Sequence, residues 1–246
     1  MKAKKKKNKS SLLIGITAFV LLVSALATVA YISYIKVISA FPVKKIIFNG
    51  NKHLTIDELR ALAGIHGKES LIALSGKSVS QRLLKSPWIR SASVSKVFPD
   101  TLSIVISEVV PFVLLDVNGH IFLSDDKGNL LEELKDNTIP FLPIITGDPF
   151  KEKEGFSEAL TLAKTMIDMG FSSERDQIEI VLSKPQELTS VIDGTVVKIG
   201  IGEYREKLER LLELQEEIQR RKIPVDYIDL RFANRVVVKP IKEVIN

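Results

Sequence analysis

From Ser11 to Ile35 no charged position interrupts a run built mainly of Leu, Ile, Val, Ala and Phe. As a helix, these 25 residues reach roughly 38 Å, more than the roughly 30 Å hydrocarbon core of a bilayer, so the pattern predicts a tilted membrane span. Its scattered hydroxyls, Ser11, Thr17, Ser24, Thr28 and Ser33, can bond back to helix carbonyls and leave no backbone group wanting a partner in lipid. Tyr31 and Tyr34 fall at the far end, where amphipathic rings anchor at an interface, and Lys36 marks the exit.

Beyond the span the period changes. Val43 to Phe48 reads as a short strand that Asn49-Gly50-Asn51 turns. Thr55-Ile56-Asp57-Glu58 has the form of a capping box, after which Ile56, Leu59 and Leu62 line a helical face that Gly64 ends. Ser78 with Gln81 repeats the capping-box spacing before Val79, Leu83 and Leu84, and Ser86-Pro87 stops that second helix. Trp88 to Phe98 predicts a strand, Phe98-Pro99-Asp100-Thr101 a turn, and Leu102, Ile104 and Ile106 alternate with Ser103, Val105 and Ser107 in another, half-buried strand. The order is β-α-α-β-β.

A second group of elements follows. Phe112 to Leu115 and Ile121 to Ser124 flank Asn118-Gly119, a strong hairpin signal. Thr138 to Thr146 carries Pro140 and Pro143, which predicts an edge or extended segment. Ser157 to Met169 is expected as a helix with Leu160, Ala163, Met166 and Ile167 inward and Gly170 closing it. Strands are expected at Ile178 to Leu182, Leu188 to Ile192 and Thr195 to Ile199, the last two joined through Asp193-Gly194. Tyr204 to about Lys222 is a long amphipathic helix with Leu208, Leu211, Leu212 and Ile218 inward, ended by Pro224. Phe232 to Lys239 is the last β-rich run, either an interior strand or a sheet edge.

Charge alters the picture only once it is located. The whole chain carries +5, but residues 1–36 hold seven lysines and no acid, leaving 28 basic against 30 acidic residues beyond them. That remainder offers no field for nucleic acid. The lysines before the span keep that end in the cytoplasm by the positive-inside rule. Ala25-Leu26-Ala27 has the form of a signal cleavage site, yet the apolar run continues past it to Ile35, which favours an uncleaved anchor. Without cysteine, neither disulfides nor thiolate metal sites contribute.

Candidate chemistry is sparse. Gly76-Lys77-Ser78 resembles the end of a P-loop, but Leu71 stands where the first glycine is needed. His53, His66 and His120 sit singly in expected turns, without the convergent ligands that zinc requires. Asp125-Asp126 fits a turn, and Glu132-Glu133 and Glu216-Glu217 fit solvated faces in or near helices. Trp88 is expected in a core rather than as a ligand platform. No catalytic residue, cofactor or metal is assigned.

Several of these stretches together resemble the FtsQ/DivIB family of bacterial cell-division proteins. In the first half they are the strand ending Phe48-Asn49-Gly50-Asn51, Thr55 to Leu59, Pro87-Trp88-Ile89, Ala92-Ser93-Val94, Phe98 to Leu102 and Glu108 to Pro111. In the second half they are Leu142-Pro143-Ile144 with Gly147, Tyr204 to Leu212, and Ile228-Asp229-Leu230-Arg231-Phe232. The family commonly places a basic residue after the glutamate where this chain has Val109. The resemblance implies an α+β protein: a basic tail at 1–10, a single N-terminal transmembrane helix at 11–35, a linker at 36–42, a POTRA domain at 43–111, and a mixed α/β "β domain" with a largely antiparallel sheet at 112–246.

The same resemblance implies a non-enzymatic, single-pass scaffold of the divisome in the bacterial inner membrane, concentrated at the septum. It would link early division proteins to FtsB-like and FtsL-like partners and so to septal peptidoglycan synthesis. Other divisome proteins would meet the POTRA domain and membrane helix. The strand after the D-L-R-aromatic sequence is where the family adds a partner strand, which makes Arg231, Phe232, Asn234, Val236 and Val238 the candidate partner-binding residues. Two alternatives stay open: a membrane-anchored envelope hydrolase, for which no nucleophile and base are found, and a POTRA-containing assembly or secretion component.

Overall fold

A computed structural model describes residues 9–67, 69–135, 140–171, 178–221, 224–233 and 235–241 of the 246-residue chain. It divides into two compact units, Met1–Glu108 and Val109–Asn246.

Helix α1 (Lys9–Ser39) opens the first unit and contains, at Ile14–Ser39, the one described helix long and apolar enough to cross a membrane. Thr17, Ser24 and Thr28 donate their hydroxyls to the carbonyls of Ile14, Leu21 and Ser24 at 3.0, 2.9 and 2.8 Å, so these polar side chains are satisfied within the helix. The helix continues past Ile35 into the stretch expected as a linker. The order that follows is β1 (Lys45–Asn49), α2 (Ile56–Ala63), α3 (Gly76–Leu83), β2 (Ile89–Val97) and β3 (Thr101–Glu108). This is the β-α-α-β-β pattern read from the sequence. In the sheet β3 is central, parallel to β1 and antiparallel to β2.

The α2 capping box forms as its spacing predicts: Thr55 Oγ1 accepts the Glu58 N–H, Glu58 accepts the Thr55 N–H at 2.8 Å, and Gly64 closes the helix at φ 61°. Helix α3 begins a turn earlier than expected. Its cap is Ser75, whose hydroxyl accepts the N–H of Ser78, so Ser78 lies inside the helix rather than at its start. Leu59, Val79, Leu83, Leu102 and Ile104 are fully buried, with Trp88 and Ile106 nearly so. Ile56, expected on the inward face of α2, is instead exposed at the first position of the helix.

In the second unit nine strands form one sheet ordered β12-β11-β10-β9-β8-β7-β4-β5-β6. The strands are β4 (Val113–Val117), β5 (His120–Ser124), β6 (Leu130–Glu133), β7 (Ile144–Thr146), β8 (Ile178–Val181), β9 (Thr189–Ile192), β10 (Thr195–Lys198), β11 (Val225–Asp229) and β12 (Val237–Pro240). Most neighbours are antiparallel; β4–β7, β7–β8 and β10–β11 are parallel. The β4–β5 turn carries Asn118 and Gly119 at φ 56° and 85°, the left-handed pair that a tight hairpin demands.

One expectation fails here, and another is narrowed, since the stretch read as an edge or an extended segment is extended but interior. Ile144–Thr146 is not an edge: β7 lies between β4 and β8, and both prolines precede the strand, where Pro143 still supplies a carbonyl to Leu114 N–H at 2.9 Å. Thr138 and Ile139 of that stretch lie outside the described residues. Glu132 and Glu133 stand in strand β6, not in a helix, and Glu133 Oε1 meets His120 Nδ1 across the hairpin at 2.7 Å.

Helices α4 (Lys153–Asp168) and α5 (Tyr204–Arg221) share one core with the sheet. Ala159, Leu162, Ala163 and Met166 of α4 meet Leu208 and Leu211 of α5 above Ile180, Ile192, Val197 and Ile228. The Tyr204 hydroxyl donates to Glu158, joining the helices, and burial first, then this carboxylate, pushes the phenol well above its ordinary range.

Candidate partner-binding site

At one end of the large sheet, β12 pairs antiparallel with β11 through Asp229↔Val237, Ile228↔Val238 and Tyr227↔Lys239. It has no other neighbour among the described residues. The Ile241 N–H donates to Pro224 O at 2.9 Å, and alternation along the strand then aims the backbone groups of Val237 and Lys239 at β11 and those of Val238 and Pro240 away from it. The edge is therefore real, but shorter than the sequence suggests.

The strand expected from Phe232 to Lys239 covers only Val237–Pro240; ahead of it Phe232 lies in a bend and Ala233 in a turn, while Arg231, Arg235 and Val236 belong to no regular element. Local bonds explain why. Asp229 Oδ1 accepts the Arg231 N–H at 3.1 Å and its Nε at 2.9 Å, while Oδ2 accepts Nη2 at 2.6 Å. From α5, Arg210 Nη1 donates to the carbonyls of Phe232 and Ala233 at 3.2 and 2.6 Å. Backbone groups held this way are withdrawn from a ladder. Phe232, Val236 and Val238 consequently do not alternate along one strand face, and Asn234 lies outside the described residues.

Each remaining candidate has a definite setting. Phe232 is exposed, with the Arg235 guanidinium 4.6 Å above its ring. Val236 is half-buried against the core, and Val238 is half-buried on the strand. Arg231 is engaged by Asp229, whose carboxylate is buried; that hydrogen bond, outweighing desolvation, holds the acid below its usual range.

Residues that pattern reading missed hold this corner in place. Lys207, on the buried side of α5, donates to Ile199 O at 2.9 Å and Ile201 O at 2.8 Å, and burial lowers its pKa. Those carbonyls flank Gly200, where a Cβ would stand 3.0 Å from the Arg231 side chain. On the sheet face, Tyr227 lies between Lys198 Nζ at 4.2 Å and Lys239 Nζ at 5.2 Å, and Lys239 also pairs with Asp226 at 2.6 Å. A cation inside an amphipathic helix is the only sequence signal for Lys207; nothing local marks Arg210.

Elsewhere the titratable groups serve the fold. His53, expected as a solvated loop residue, stacks on Trp88 with centroids 3.7 Å apart. Glu108 accepts the N–H groups of Lys52, His53 and Leu54 at 2.9, 2.7 and 3.0 Å. Asp125 closes its turn by accepting Lys127 and Asn129 N–H groups. Among the described residues, no group of three or more His, Cys, Asp or Glu could hold a metal ion.

An apolar N-terminal helix, a three-stranded unit under two helices and a larger mixed sheet define a POTRA-bearing protein with one candidate membrane span. Residues 41–108 match the FtsQ-type POTRA domain family, and residues 107–231 match the family described as cell division protein FtsQ/DivIB, C-terminal. Cell division protein FtsQ of Geobacter sp. (strain M21) is 35% identical over 200 residues, covering 77% of this chain and 73% of the relative. The FtsQ proteins of Geotalea daltonii and Syntrophotalea carbinolica are 27% and 30% identical, covering 82% and 81% of this chain and 76% and 74% of their own. The chain belongs to the FtsQ/DivIB family of cell division proteins. The second family match ends at Arg231, so the turn and β12 lie beyond it.

Proposed function

We propose that this protein is a non-enzymatic, membrane-anchored scaffold of the divisome that captures FtsB-like and FtsL-like partners by adding a strand to β12. The supporting observation is the terminal position of β12, whose Val238 backbone points away from β11. A partner strand gains main-chain bonds there, while Phe232, Arg235 and the Tyr227 face offer side-chain selectivity. Arg231 acts by holding the turn, since Asp229 occupies its guanidinium. The anchor sets the N-terminus in the cytoplasm and the two units outside it, at the septum of the inner membrane. Other division proteins meet the POTRA unit and membrane helix.

Crosslinking in living membranes followed by pull-down tests the partner reading: FtsB-like and FtsL-like chains should be recovered, and a Val238→Pro variant that remains folded should lose them. Recovery unchanged by that variant moves the site off β12. Depletion of the protein should give filaments with uncut septa; normal division with lost envelope hydrolysis would overturn the scaffold reading.

A further inference from the structure

We infer that the tip of the first unit at which α1 leaves is a docking surface for anionic phospholipid headgroups. The inference rests on α1 spanning a bilayer. Ile14–Ser39 is 26 residues long and, as a helix, reaches about 39 Å, against about 40–45 Å for a bilayer with its headgroup layers. The C-terminal end of α1 therefore lies in or beside a headgroup layer, and whatever is fastened to that end lies there too.

Two loops are fastened to it. Ser70 Oγ donates to Ile38 O at 2.6 Å, Leu71 N–H donates to Phe41 O at 2.7 Å, and Val43 N–H donates to Glu69 O at 2.9 Å. From the β2–β3 turn, Phe98 meets Phe41 edge to face at 5.7 Å, while Asp100 O accepts the N–H groups of Lys44 and Lys45 at 2.9 and 3.2 Å. The hairpin tip and the loop at 69–72 are thus held against the segment leaving the helix.

The side chains shown at this tip suit a bilayer interface. Phe98 is 59% exposed, and its neighbour Val97 and Ile72, whose carbonyl accepts Lys96 Nζ at 2.9 Å, are also exposed, an apolar group that soluble surfaces rarely present together. Lys44 and Lys45 are exposed next to them, and Lys36 lies in the last turn of α1. The acids nearby are engaged within the protein: Glu69 accepts His66 N–H at 2.9 Å, and Asp100 Oδ1 accepts the Thr101 hydroxyl at 3.1 Å. An aromatic residue flanked by lysines combines shallow apolar insertion with attraction to anionic lipid, each lysine near the surface adding to the attraction.

The chain has no cysteine, so single cysteines carry an environment-sensitive fluorophore at chosen sites. Full-length protein labelled at Val23→Cys, Phe98→Cys or Val105→Cys is reconstituted into vesicles of phosphatidylcholine alone or mixed equally with phosphatidylglycerol. Val105 is exposed and lies four residues along β3 from Thr101, about 13 Å farther from the tip. A bilayer-borne spin quencher should quench the Phe98 label several-fold more than the Val105 label in mixed vesicles. That excess should fall in phosphatidylcholine alone, and also on Lys44→Glu with Lys45→Glu in protein that keeps its circular dichroism. Equal quenching at Phe98 and Val105, with Val23 quenched, overturns the docking surface alone. An excess indifferent to phosphatidylglycerol overturns the assignment to anionic lipid. An unquenched Val23 label removes the span and the docking surface together.

Discussion

Arg231 and Asp229 close on each other across two residues of chain, Nε to Oδ1 at 2.9 Å and Nη2 to Oδ2 at 2.6 Å. The carboxylate side chain is 7% exposed and the guanidinium side chain 39%, so solvent screens one side of the pair. Arg231→Ala should therefore cost about 2–3 kcal/mol, less than the roughly 3–5 kcal/mol of a fully buried pair. Because the folded acid sits below its ordinary pKa, its contribution is fully present above the unfolded value and is lost as pH falls through the folded one. Acid titration of melting temperature should show this loss in the parent and a shallower slope in Asp229→Asn.

Partner capture should depend on backbone more than on charge. Val238→Pro removes an N–H that points away from β11 and spares the bonds that pair the strands. Binding of an FtsB-like partner should fall at least tenfold by biolayer interferometry. Phe232→Ala should weaken it less, and a double variant that is folded and binds normally would place the partner elsewhere.

Trp88→Ala should cost about 3–5 kcal/mol in urea unfolding of the full chain in detergent. Trp88 is 6% exposed, and His53 stacks on its ring. His53→Ala removes the stacked lid and should cost about 0.5–1.5 kcal/mol.

Glu108 gathers three backbone N–H groups, and despite desolvation these bonds lower its pKa. The stability it gives is present above the ordinary glutamate range and disappears as pH drops through the lowered folded value. Glu108→Gln should cost about 1–2 kcal/mol near neutrality, and the difference from the parent should close in acid. Hydrogen exchange at Lys52, His53 and Leu54 should speed up first.

A reporter joined after Lys36 should be exported, and glutamates in place of the lysines before the span should scramble that orientation. Mature protein beginning at Thr28 would mean cleavage after Ala27.

Signals confined to one turn of chain were legible in advance. Thr55 with Glu58 and Asn118 with Gly119 each specify a local geometry, and the structure has both. Alternation at Leu102, Ile104 and Ile106 likewise reports a buried strand face. What escaped depends on distant partners. Propensity favours a strand through Phe232 and Val236, and it is overruled by Asp229 and by Arg210 from another helix. Interior β7 was hidden because prolines upstream mimic an edge, and Ser78 copied a cap that Ser75 supplies. The edge position of β12 follows from sheet order, which no local pattern encodes.

Pro240 has one more effect on that edge. Its carbonyl points away from β11, but it has no N–H to match, so Val238 is the only strand residue presenting both groups outward. Two copies of the chain laid edge to edge would each bring the same missing donor. A foreign strand can shift its register and offer its own N–H to the Pro240 carbonyl. A proline at this position therefore weakens any ladder that two copies could build through their own β12 edges.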